Sequence, residues 1–130
     1  MQRIFLGLSI PSAVKSQLIS LQGGIPGANW VDPENYHITL KFIGEVDEIT
    51  KEDIAESLDD LSFPTFQINL QGIDIFSRGD DPHHLWVKPN PEEPLLKLNS
   101  KIENHLQNHL HLKKDTHKFT PHLTIAKLKN

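Results

Sequence analysis

Two short stretches carry the residue types needed to move protons: His37-Ile38-Thr39-Leu40 and His122-Leu123-Thr124-Ile125. Histidine is the side chain whose ordinary charge change falls near neutral pH. One imidazole can therefore act as a base while a second acts as an acid. In an extended strand, residues i and i+2 point to the same face, roughly 6.6 Å apart. His37 and Thr39 then share one face, and so do His122 and Thr124, while Ile38, Leu40, Leu123 and Ile125 turn toward a core. For one such stretch alone, an ordinary exposed sheet face explains the pattern, because Thr favours strands and the chain holds 8 histidines. The case for a site rests on there being two.

The elements around them set the positions. Residues 3–10 alternate and read as a strand; Pro11 and Ser12 open a helix with Val14, Leu18 and Leu21 on one face, and Gly23 and Gly24 end it. Trp30 and Val31 suggest a short strand, residues 33–35 a turn, and 36–44 a strong strand. Thr50 with Asp53 resembles a capping box for a second helix whose inner face is Ile54, Leu58 and Leu61. Residues 65–76 alternate again, and a loop from Ser77 to Pro82 joins them to a strand at 84–88 as a hairpin. Residues 90–93 start a third helix that buries Leu95, Leu98, Ile102 and Leu106, and 119–128 form the last strand.

A repeat organises these elements. The order strand, helix, short connector, histidine-led strand runs from Ile4 to His37 and again from Leu85 to His122, over 33 and 37 residues. The reading is an α+β fold: one domain, 1–130, of two pseudo-symmetric halves of approximately 1–76 and 77–130. Pseudo-twofold duplication makes two lobes, with antiparallel sheets flanking a central cleft and helices outside. Equivalent histidines then face one groove from opposite sides, as acid–base chemistry requires.

Composition narrows the classes. The 130 residues suit one core; 37% hydrophobic and 23% charged residues are globular values. No apolar run approaches a bilayer span, and no secretory leader develops after Arg3, so no membrane partner is expected. Zero cysteines exclude thiolate chemistry and cysteine-based metal sites, and the cytoplasm is the expected location. A net charge of −4 argues against a protein that coats nucleic acid. Acidic residues crowd 45–60 and lysines crowd 113–129, where solvated faces are the plain explanation and phosphate binding the other.

Several stretches together resemble the 2H phosphoesterase superfamily, particularly its 2′-5′ RNA ligase-like or RNA 2′,3′-cyclic phosphodiesterase branch. They are Arg3 to Leu8, Trp30-Val31, Glu34 to Val46, Gly72 to Phe76, Leu85-Trp86-Val87 and Phe119 to Leu128. The resemblance covers nearly the whole chain in order. It implies an enzyme opening a 2′,3′-cyclic phosphate at an RNA terminus, or on a nucleoside, to leave a 2′-phosphate. His37 and His122 would be catalytic, with His37 the acid for the leaving 3′ oxygen and His122 the base; the near symmetry of the halves leaves these roles open on the residues alone. Thr39 and Thr124 would hold non-bridging oxygens. No metal and no cofactor is needed.

Further candidates follow from parity and type. Lys41, four residues after His37, falls on the site face. Lys127, five after His122, falls on the opposite face unless a bulge intervenes; related chains carry Arg there, and Lys keeps the charge but not the planar fork. Both are candidate phosphate ligands. Phe42 suits base stacking, although Ile38 and Leu40 share its parity and core packing competes. Arg78, in the hairpin loop, can reach RNA. His105 and His109 stand at i, i+4, but Leu106 follows His105 where the zincin pattern needs Glu. Family members usually continue with further strands, and here only residues 126–130 follow Ile125. The expectation is that C-terminal strands are missing, leaving an uncovered sheet edge that favours a homodimer. The alternatives kept open are a non-catalytic module for RNA ends or nucleotides, 2′-5′ RNA ligation, and cyclic ADP-ribose phosphates as substrates.

Overall fold

The computed structural model describes residues 1–78, 81–115 and 118–128. In chain order its elements are β1 (Gln2–Ser9), α1 (Ser12–Ile19), β2 (Ala28–Trp30), a 3-10 turn (Pro33–Asn35), β3 (His37–Val46), α2 (Glu48–Asp59), β4 (Asn69–Arg78), β5 (Asp81–Asn90), α3 (Glu93–Leu110) and β6 (Leu123–Leu128). Strand, helix and histidine-led strand do recur, as β1, α1, β3 and as β5, α3, β6. The chain forms two compact units, and each draws segments from both 1–76 and 77–130.

The first unit holds residues 1–7, 39–68 and 91–121. Here β1 pairs with β3, and α2 lies against α3. Ile54 of α2 and Leu95, Leu98, Ile102 and Leu106 of α3 are buried, as the helical period required. Asp47, rather than Thr50, caps α2: its carboxylate accepts the Thr50 N–H at 2.8 Å. That bond satisfies one of the donors a helix leaves unpaired at its start. It also holds the Asp47 carboxyl below the ordinary carboxylate range, with the Thr50 side-chain hydrogen bond the main cause and the backbone N–H next. At the far end of α3, His111 takes left-handed φ/ψ (57°, 28°) and its N–H reaches the Gln107 carbonyl.

The second unit holds 8–38, 69–90 and 122–130. Its four-stranded sheet has the order β2-β6-β5-β4, every neighbour antiparallel. Leu85, Val87, Leu123 and Ile125 are buried there, with Leu18 from α1. Helix α1 stops at Ile19, so Leu21, expected on its inner face, lies beyond the helix and is 43% exposed. The hairpin is tighter than expected: β4 starts at Asn69 rather than at residue 65, and pairing reaches Arg78 opposite Asp81. A bulge between Gln71 and Ile73 is made possible by Gly72, whose φ of 74° suits a residue without Cβ. β6 is an inner strand between β2 and β5. The exposed edge therefore does not lie beside it; among the described residues, the long edge strand is β4.

Candidate active site

Both motifs show the alternation expected of them. Ile38, Leu40, Leu123 and Ile125 are all buried, whereas His37, Thr39, His122 and Thr124 are half-buried between them. His37 opens β3 and His122 immediately precedes β6. The chain passes from one compact unit to the other beside each motif, after Ile38 and after Pro121.

Both histidines belong to the second unit, and its topology shows how. β2 runs antiparallel to β6, with Trp30 opposite Ala126 and the Val31 N–H donating to the Ile125 carbonyl at 2.9 Å. β2 thus leads toward the end of β6 that carries His122. Six residues further on, at most about 20 Å of chain, lies His37. The intervening 3-10 turn is set by Pro33 and by Asp32, whose side chain accepts the Glu34 N–H. Tyr36 is buried, and its hydroxyl accepts from Gln22 Nε2 at 3.0 Å. His37 Nδ1 donates to the Asn35 carbonyl at 2.6 Å. That bond selects the tautomer and orients the ring. His122 stands with its ring edge-on to Trp86, centroids 5.7 Å apart.

A bulge decides what else shares the face of Thr124. Trp86 pairs with Thr124, but Leu85 pairs with Ala126, so β6 carries one extra residue at Ile125. His84 then pairs with Lys127. His84 and Trp86 are two apart and point the same way, and directly opposed residues share a face. Lys127 consequently lies on the face of Thr124, and it is exposed.

Lys41 goes the other way. The alternation of β3 breaks at Leu40–Lys41, where consecutive residues are both buried. Asn99 on α3 takes the Leu40 carbonyl at 2.7 Å. Lys41, 7% exposed, pairs with Glu103 at 2.8 Å and donates to the Lys113 carbonyl at 3.3 Å. The second Glu103 oxygen accepts the Asp115 N–H at 3.0 Å. Expected as a phosphate ligand, Lys41 is instead committed to a buried network. The desolvation of an ammonium demands such a partner. Phe42, after the break, is 68% exposed rather than packed in the core, with the Phe5 ring 6.0 Å away. Arg78 ends β4, and its side chain lies outside what the structure describes. His105 Nε2 donates to the Ser57 carbonyl at 2.7 Å and joins α3 to α2, while His109 Nδ1 donates to the His105 carbonyl. Among the described residues no three His, Asp or Glu side chains converge as metal ligands, and no helix is long and apolar enough to cross a membrane.

Sequence reasoning missed Glu103 and Asn99, which sit at i, i+4 on α3, and the His84–Lys127 pairing. Only the long-range register reveals them.

The fold matches that of the Thermus thermophilus protein TT0787, with a TM-score of 0.82, 25% identity, and 99% of this chain and 75% of that one covered. It also matches LigT of E. coli, at a TM-score of 0.81 and 21% identity, over 99% and 73% of the two chains. The family model described as the 2′-5′ RNA ligase superfamily matches residues 27–130. The chain belongs to that superfamily, whose 2H phosphoesterase motifs it carries twice. Among its curated relatives, a protein of Thermotoga maritima named RNA 2′,3′-cyclic phosphodiesterase is 34% identical, covering 98% of this chain and 70% of that protein.

Proposed function

We propose that this chain hydrolyses 2′,3′-cyclic phosphates at RNA ends to 2′-phosphates by two-histidine acid–base catalysis without a metal ion. The observation that carries the reading is the doubled motif: two histidine–threonine pairs between buried aliphatic residues, in a member of this superfamily. Relatives that share a third of its residues bear the name of this activity.

Water attacks phosphorus while the bond to the ribose 3′ oxygen breaks. His122 takes the proton from water. His37 gives its Nε2 proton to the departing 3′ oxygen, and its Nδ1–H bond to Asn35 holds the ring in place for that transfer. Thr39 and Thr124 hydroxyls donate to the non-bridging oxygens as their charge grows. Lys127 adds positive charge from the Thr124 face, and Phe42 offers an exposed ring for a base. The protons balance: one taken from water, one delivered to the ribose.

The test is turnover of a panel of 2′,3′-cyclic nucleotides, and of an RNA with that terminus, in EDTA. The 2′-monophosphate is the expected product. Binding without turnover, or full activity in both single histidine variants, removes the proposal. RNA ends as substrate and the absence of cysteine favour the cytoplasm. The β4 edge, with Ile73 and Ile75 52% and 48% exposed, supports a homodimer; a monomer in sedimentation at high concentration counts against it.

A further inference from the structure

We propose that His84, Lys127 and Asn29 form a second phosphate-binding row, which holds the internucleotide phosphate next to the reacting end and makes an RNA chain a better ligand than a mononucleotide. The inference rests on the catalytic reading for the identity of the ligand, but its geometry is separate. In the second unit's sheet, Lys127 is paired on one side with His84 and on the other with Asn29. The three residues thus lie across three adjacent strands, on one face, at one level. The neighbouring level on that face is Trp86 and Thr124, with His122 against Trp86. Two residues of β5 separate the levels, roughly 6.6 Å, comparable with the step between successive phosphates along an RNA strand.

The chemistry of the row suits a phosphodiester. An ammonium, an imidazole and a carboxamide all supply N–H donors, and none of the three is an acid. Asn29 and Lys127 are exposed and His84 is half-buried, so the row is open to a chain lying across it. The Ile125 bulge is what makes the row: without the extra residue, Lys127 would point to the opposite face.

The experiment measures equilibrium binding, so that it does not depend on turnover. Two fluorescent RNA trinucleotides ending in a 2′-phosphate are compared, one with an ordinary last linkage and one with an uncharged methylphosphonate there. The wild-type protein should prefer the charged linkage by on the order of tenfold. His84→Ala should lose several-fold of that preference. Lys127→Ala should lose more, and should reduce the salt slope by about 0.7 on a log–log plot. Asn29→Ala, at an exposed position, gives the same readout where His84→Ala folds poorly. Equal affinity of the wild type for both linkages overturns the row, as does a His84→Ala loss that is the same for both. A chain that turns over cyclic nucleotides yet ignores the linkage keeps its catalytic reading and loses this one. A chain that discriminates linkages without turnover does the reverse.

Discussion

The strands that follow His37 and His122 begin alike and then diverge. Both bury the aliphatic residues of the motif, both break their alternation after the threonine, and both carry a lysine just past the break. In β3 the break turns Lys41 inward to Glu103, under the hold of Asn99 on the Leu40 carbonyl. In β6 the break is a bulge in an inner strand, and it turns Lys127 outward beside His84. One lysine is committed to a buried ion pair and the other is exposed on the sheet. A repeat in sequence preserves the histidine–threonine pairs; the next few residues diverge according to what packs against them.

The largest expected effect falls on what the two strands share. His37→Ala and His122→Ala should each lower turnover of a 2′,3′-cyclic nucleotide by a factor on the order of 10²–10⁴. A single histidine variant with parental kcat would show that the strands are not equivalent partners.

Next comes the contrast between the lysines. Glu103→Ala leaves the Lys41 ammonium buried without its carboxylate, and should cost about 3–5 kcal/mol in urea unfolding. Replacing both partners, Lys41→Met with Glu103→Leu, should recover most of that loss, because two desolvated charges are exchanged for apolar volume. Lys127→Met should change stability by less than about 0.5 kcal/mol while weakening RNA binding. A large stability loss at Lys127, or none at Glu103, would erase the distinction drawn between the strands.

The smallest effect lies just beyond β3. Because the folded Asp47 carboxyl titrates below its ordinary value, its stabilising contribution is full above the unfolded carboxyl range near pH 4, and fades as pH falls through the lower folded value. The difference in Tm between the parent protein and Asp47→Ala should therefore be constant near neutrality and shrink in strong acid. A difference that grows on acidification would contradict the cap.

What the sequence determined by itself was the family, through its doubled histidine–threonine motif, and most of the frame. Local alternation and helical period were enough to find the strands, though not the start of β4 at Asn69 or of β6 at Leu123, together with the inner face of α3 and the outward pairing of each histidine with its threonine, because those patterns reflect burial within a few residues of chain. Tertiary structure decided the rest. Counting parity from His37 put Lys41 with the site and from His122 put Lys127 away from it, and both were reversed by breaks that long-range partners impose: α3 on β3, and the β5 register on β6. The cap of α2 falls on Asp47 rather than Thr50, because the helix starts at Glu48 and already includes Thr50, whose N–H the Asp47 carboxylate accepts. A strand's faces follow from its residues until something distant inserts or twists one of them; beyond that point the partner determines which way a side chain turns.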